Sequence, residues 1–343
     1  MAKFHTLKAT LDTVKWGYFD NTLKPALTVQ PGDVVEFESL AHHAGDAPDL
    51  MIDDGVRAVY EGIPEKERGP GVHIMTGPVY VEGAKAGDIL EVKVLDMQPR
   101  IPYGCNFSAN WGLLYNDFNK KEHVIIYKAD TVSQLARAEF QYPYWTFCDI
   151  PGRITEPGKV KREPALKNVY VPLRLHFGTA GLAPKAGGKV NSIPPGPFGG
   201  NMDNRNFITG TSMLYPVQVD GGLFTAGDSH FSQGDGEISG TAIEGHVNAL
   251  LQFNIRKDIK VISNPVLVTP THYIIHGMHA DLNEAMRLCA LEAIDFLCAN
   301  KGLSREEAYS LLSISGDFQI TQVVDAVKGI HCMIRRDMFV PAG

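Results

Sequence analysis

Apolar and charged residues alternate along two stretches of the N-terminal third. Thr28 to Glu38 opens with a turn at Pro31-Gly32-Asp33 and continues as Val-Val-Glu-Phe-Glu, a strand of period two. Gly87 to Leu95 repeats the scheme, a Gly-Asp turn followed by alternating apolar and charged positions. Two strands that start on Gly-Asp predict a sheet-on-sheet (β-sandwich) or barrel-like architecture. Lys167 to Phe177 reads as a further strand. Leu214 to Phe224 reads as a strand pair broken at Asp220-Gly221-Gly222, a hairpin signal. From 184 to 206 Gly, Pro and Asn dominate, which marks a functional loop or a disordered linker. Its aromatic and Asn/Asp content after Pro197 favours an ordered one.

The period changes near the C-terminus. Asp281 and Glu284 form a helix-start signal, and Ala285, Leu288, Cys289, Ala293, Phe296 and Leu297 recur at helical spacing. Lys301-Gly302 ends that helix. Ser304 with Glu307 starts a second, whose apolar face is Ala308, Leu311 and Leu312. The chain therefore reads as mainly β with C-terminal helices. We divide it into a β-rich part over 1–165 and a second β part over 166–343 that carries the helices.

Composition narrows the function. The 343 residues are 44% hydrophobic and 21% charged, enough to bury a core without help from a disulfide or a metal. A metal, if bound, then belongs to function. The net charge of -7 disfavours a phosphate-backbone partner, so no nucleic acid is expected. The five cysteines include no Cys-x-x-Cys pair, which fits a reducing compartment. Neither a signal-peptide core nor a membrane-length apolar run is visible, so the expected location is cytoplasmic.

The densest chemistry lies in Gly227-Asp228-Ser229-His230-Phe231-Ser232-Gln233-Gly234-Asp235-Gly236-Glu237. On extended chain, residues two apart share a side, so Asp228 faces with His230, and Asp235 with Glu237. Gly234 and Gly236 allow the chain to bend and bring the two sets together. One imidazole beside a carboxylate suits a divalent metal of the zinc type, and extra carboxylates supply an anchor or a general base. The plain alternative is a Gly-rich turn with solvated polar groups. Calcium-loop spacing is absent.

Further candidates carry open alternatives. Glu244 borders an apolar segment, as a buried carboxylate of raised pKa or as a surface strand residue. His73 precedes a strand and Glu82 ends it; His73 also fits an ordinary loop histidine. Asn201 and Asp203 beside Gly199-Gly200 form a turn or offer polar groups to a substrate. His272, His276 and His279 resemble a ligand set on a helix, but their apolar neighbours and Pro270 favour a strand. His42-His43 falls in a loop with Asp46 and Asp49. Gly-x-Ser-x-Gly, His-Glu-x-x-His and P-loop patterns are absent, which disfavours serine and nucleotide chemistry. Cys105 and Cys148 are the thiols open to a covalent route.

These residues resemble the acetamidase/formamidase family. The resemblance rests on the 227–237 segment with Thr241-Ala242-Ile243-Glu244, on Thr76 to Ala84 with Gly87-Asp88, and on Ser192 to Asp203. It continues through Leu214 to Val219, Ala280 to Ala285, Ser313 to Ile320 and Val324-Asp325. It implies a fold of β-sandwich and barrel-like parts with some helices, a homo-oligomer, and hydrolysis of short amides such as formamide and acetamide. It also implies a divalent metal, zinc with calcium as alternative. The implied metal ligands are Asp228, His230 and His73, and the implied proton carriers are Glu237, Glu244 and Glu82. The implied substrate contacts are Asn201, Asp203, Phe231 and Gln233. The chain departs from the pattern at Ile74, where a proline is common, and matches it poorly from Gly104 to Lys167. The rivals are a hydrolase of a urea- or carbamate-like C–N bond, and a non-catalytic metal-containing β-sandwich.

Overall fold

The computed structural model describes residues 2–144, 152–260 and 262–339. Its frame is the Glu244–Arg256 strand, which lies antiparallel between Val34–Ser39 and the long Ile89–Ser108 strand. Both partners start on the Gly-Asp turns read from sequence, and alternation turns Val35 and Phe37 inward. A facing layer centres on Phe224–His230, antiparallel to His176–Gly181 on one side and Ile74–Val81 on the other. Phe37 meets Phe177 and Phe224 between the layers, and Phe224 meets Phe253, with ring centroids 5.4–6.1 Å apart. Each buried ring stabilises the sandwich by about 1.5–3 kcal/mol.

The Ile89–Ser108 strand outruns this sandwich. Its end, Tyr103–Ser108, pairs with Glu122–Asp130, which pairs with Leu135–Tyr144. A second core forms there around Trp16, Tyr60, Phe107, Val124 and Tyr142. It includes the Asp54–Gly62 helix, an element the alternating pattern did not reveal, capped where Asp53 Oδ1 accepts from Val56 N at 2.8 Å.

The C-terminal sheet comprises Val266–Val268, His272–His279, Lys328–Arg335 and Asp317–Gln322. Helices Leu282–Lys301 and Arg305–Ser315 cover it through Ala285, Cys289, Phe296, Leu297 and Leu312. Both helices start at their expected caps. Asp281 Oδ1 accepts from Glu284 N at 2.9 Å, and Ser304 with Glu307 closes a reciprocal box. Gly302, at φ +72°, makes the left-handed stop.

The fold is mainly β, and its sheets are open and do not close into a barrel. Strands from either side of residue 165 pair with each other, as Val34–Ser39 does with Glu244–Arg256. Asp220-Gly221-Gly222 does not close a hairpin. Ser212–Pro216 pairs with Ile89–Ser108 and Val266–Val268, while Phe224–His230 belongs to the facing layer. The turn thus links two layers. Among the described residues no helix is long and apolar enough to cross a membrane.

Candidate active site

The Phe224–His230 strand is buried throughout and delivers Asp228 and His230 to its end. His230 stands directly across from Glu244, the first residue of the next strand. The connecting loop is tied down from outside. Asn106 Nδ2 donates to the Thr241 and Ala242 carbonyls, and Trp111 Nε1 donates to the Gly240 carbonyl at 2.8 Å. That anchoring sends Glu237 inward. Asp203, Asp228 and Glu237 all occupy left-handed backbone, at φ +51°, +51° and +47°. Such a conformation is uncommon outside glycine and marks sites that the surrounding structure holds under strain.

These residues meet at a cavity of about 280 Å³. Its polar wall holds His42, His73, Asn201, Asp203, Asp228, Glu237, Glu244 and Asp325; Val72, Trp111, Ile193 and Val324 supply the apolar side. Asp228 is the hub. Its Oδ2 lies 3.6 Å from both His73 Nε2 and His230 Nε2, and its Oδ1 lies 3.4 Å from His42 Nδ1. Thr179 Oγ1 donates to Asn201 Oδ1 at 2.6 Å and lies 3.2 Å from Asp228 Oδ2. Glu244 Oε1 accepts from Ala242 N at 2.8 Å, which turns Oε2 toward His230 Nε2 at 3.3 Å.

The imidazoles are oriented from behind. His176 Nδ1 lies 2.6 Å from the Arg174 carbonyl, and its Nε2 lies 3.0 Å from Gln233 Oε1. That nitrogen lies 3.2 Å from His230 Nδ1, and Gln233 Oε1 accepts from the same Nδ1 at 3.0 Å. The proton on His230 Nδ1 is thereby fixed, and Nε2 is the atom presented to the acids. Gln233 is held in turn by donating to the Asp203 carbonyl at 2.6 Å. His246 plays the same part for the His42-His43 loop, accepting from Ala41 N and donating to the Met51 carbonyl. Gly178 lies directly beneath. A Cβ there would come within 2.4 Å of His230 Cε1, 2.6 Å of Asp203 Oδ1 and 2.7 Å of Asp228 Oδ2.

Burial and crowding split the charges. Burial would raise Asp228, but His73, His230 and His42 outweigh it and hold the carboxyl well below its ordinary value. His230 is driven well above its ordinary value, because Glu244 and Asp228 overcome the cost of burial. Burial pushes Glu244 up to about 7 against the pull of His230. Burial, with repulsion among neighbouring acids, raises Glu237 and Asp325 well above the carboxylate range. His42 is pushed down to about 3 by burial and by His43.

Two groups of three in this wall offer ligand atoms within 4.8 Å of one another and include the key imidazole: Asp203-Asp228-His230 and His230-Glu237-Glu244. The set fits a divalent metal. A nitrogen is presented with its ring tautomer fixed, and no donor reaches Asp203 Oδ2 in the buried wall.

Of the sequence candidates, Asp228, His230, Glu237, Glu244, His73, Asn201 and Asp203 converge on the cavity. Gln233 sits behind it. Glu82 does not arrive. It is exposed, and the Ile74–Val81 strand separates it from His73 by roughly 30 Å of extended chain. Phe231 follows His230 on the opposite side of the chain and packs in the sandwich core; Phe198 packs with Phe19 and Met75. Asp235 pairs with Arg205 at 2.8 Å instead of joining Glu237. His276 is bonded to Asn204 and the Pro265 carbonyl within its strand, apart from any ligand set. Cys105 is fully buried behind His43, 3.7 Å from Asp46 Oδ2, and does not line the cavity. Cys148 lies outside the described residues. Sequence reasoning underrated His42 and missed the roles of His176 and Asp325. Only the doubled histidine and the Val324-Asp325 motif signalled two of them.

A strained, enclosed wall of acids around one fixed imidazole, on a sandwich of open sheets, defines a hydrolytic type of site. The chain belongs to the Acetamidase/Formamidase family, whose model matches residues 18–187 and 185–340. It is 30% identical to an acetamidase of Mycolicibacterium smegmatis over 71% of this chain and 73% of that protein. It is 28% identical to a formamidase of Methylophilus methylotrophus over 93% of this chain and 89% of that one. An acetamidase crystal structure from Bacillus halodurans superposes with a TM-score of 0.74 at 26% identity, covering 97% of this chain and 98% of that one. A predicted acetamidase/formamidase from Thermoanaerobacter tengcongensis gives 0.76 at 25%, with 98% and 97% covered.

Proposed function

We propose that this cavity hydrolyses the C–N bond of short aliphatic amides, giving a carboxylate and ammonia. The chain is an amidohydrolase of linear amides, in line with its acetamidase and formamidase relatives. The observation that carries the mechanism is Glu244: a buried carboxyl poised at about 7, its Oε2 turned into the cavity beside His230.

Amide hydrolysis requires a polarised carbonyl, an activated water and a protonated leaving nitrogen. Glu244 Oε2 takes the proton as water oxygen bonds to the carbonyl carbon. It returns that proton to the nitrogen as the C–N bond breaks, so ammonia leaves and the Glu244 carboxylate is regenerated. Asn201 commits its Oδ1 to Thr179, which leaves its Nδ2 to donate to the developing oxyanion. Asp228 and His230, with Asp203, are the residues that would hold a divalent ion, zinc by its mixed nitrogen and oxygen donors, with calcium the alternative. His73 flanks that set through Asp228. Such an ion supplies Lewis acidity toward the carbonyl and lowers the pKa of water. Val72, Trp111 and Ile193 exclude bulk water from the chemistry.

The described cysteines form no disulfide, which supports a reducing, cytoplasmic setting. Self-association belongs to the same proposal, with sedimentation as its check; the helix pair exposes Met286, Tyr309 and Ile314. The decisive experiment is ammonia release from formamide, acetamide, propionamide and urea, with the metal content of the same sample. Turnover of the linear amides is expected. Release from urea alone would move the enzyme to the other C–N class, and no release would leave a binding module.

A further inference from the structure

The cavity wall holds more carboxyl groups than one ion explains. Asp203, Asp228, Glu237, Glu244 and Asp325 all line it, each buried, and no Lys or Arg is among the described lining residues. Asp228 and Glu244 are answered by histidines. Asp203, Glu237 and Asp325 form no ion pair among the described residues, although His230 lowers the pKa of the first two from further off. They place one oxygen each within 4.8 Å of one another. No N–H or hydroxyl donor reaches Asp203 Oδ2 or Asp325 Oδ2; the two carboxyls meet only each other, and both side chains are more than nine-tenths buried and line the cavity. Buried carboxyl oxygens left in that state are costly unless a cation or a proton meets them. Asp325 is held in place for the purpose: Gln322 Oε1 accepts from Val324 N and Asp325 N, and its Nε2 closes the turn onto the Val327 carbonyl.

We propose that the cavity has a second divalent-cation position, built from Asp203, Glu237 and Asp325. Its donors are all carboxylate oxygens, which suit a hard ion of the magnesium, manganese or calcium class better than the His230 position does. Asp203 belongs to this trio and to the Asp203-Asp228-His230 group, and is the residue the two positions share. This inference rests on the metal-assisted reading above and adds to it a different ion at a different place.

The test counts metals on the full chain. Stripped protein is equilibrated with Zn²⁺ and Mn²⁺, freed of excess, and analysed by plasma mass spectrometry; Mn²⁺ is also read by electron paramagnetic resonance. Wild type is expected to hold two ions per chain, one of them manganese. Asp325→Asn is expected to lose the manganese and keep the other ion, with circular dichroism confirming its fold. Asp325→Ala replaces it if the Asn variant does not fold. Any other count overturns the proposal: one ion or none in wild type, two in the variant, or loss of both together. In the one-or-none case protons alone neutralise the trio. Ammonia release by the same wild-type sample tests the amidase reading separately, so either can fail without the other.

Discussion

In the Leu282–Lys301 helix each residue does what its type favours, whereas three acids on the cavity wall sit in backbone that acids seldom adopt. The helix opens on Asp281, closes on left-handed Gly302, and buries Ala285, Cys289, Ala293 and Leu297 at helical spacing. The wall does the reverse. Asp203, Asp228 and Glu237 take positive φ, and five carboxyls are buried together. Local rules are obeyed along this helix and relaxed along the cavity wall. The sandwich core and the helix layer must therefore supply the stability that the cavity gives up.

That contrast can be attacked directly. The largest expected effect is on the wall. Glu244→Gln should lower kcat for formamide by about 10²–10⁴ while Tm holds or rises, because a buried acid is removed. A variant with full turnover would strip Glu244 of its role; one that melts early would make the wall a stability element after all. Leu297→Ala should do the opposite. It empties a fully buried site in the helix layer and should cost about 2–5 kcal/mol in urea unfolding, with kcat/KM unchanged in the folded protein.

Acid separates the regions a third way. Asp33 is buried near the N-terminus, where Lys3 N, Gln30 N and His5 Nε2 all donate to its carboxylate. Burial opposes these bonds, yet they hold it down to about 2. Its stabilisation is complete above the unfolded value of about 3.9 and is lost as pH falls through that value toward about 2. The loss should be about 2 kcal/mol and absent in Asp33→Asn, by denaturant titration at stepped pH. Glu237 and Asp325 have the opposite sign: raised in the folded protein, they favour it as pH falls. The smallest effect is Ser304→Ala, which removes one side of a capping box and should cost about 1 kcal/mol by the same titration.

Legibility in the sequence followed the same division. Both C-terminal helices, their caps and the two Gly-Asp strand starts could be read because each signal is local. Asp228 with His230 could be read too, because one strand carries both to its end even though Asp228 leaves the extended state at φ +51°. The same reasoning failed for Asp235 and Glu237, which lie beyond that strand, where Arg205 draws Asp235 away. Glu82 misled because a motif that contains two polar residues also contains the eight-residue strand between them. Phe231 misled because the alternation that brings His230 inward turns its neighbour away. His42, His176 and Asp325 come from three distant segments, and only the folded sheets place His42 and Asp325 at one wall with His176 behind it.

Gly178 leaves the cavity with a floor one backbone thick. Because even a methyl group there would collide with His230, Asp203 and Asp228, the pocket cannot be reshaped from below without evicting its own acids. Room for a longer acyl chain must come instead from the apolar lining, at Val72, Trp111, Ile193 and Val324. Any redesign of substrate range, by nature or in the laboratory, falls to those side chains.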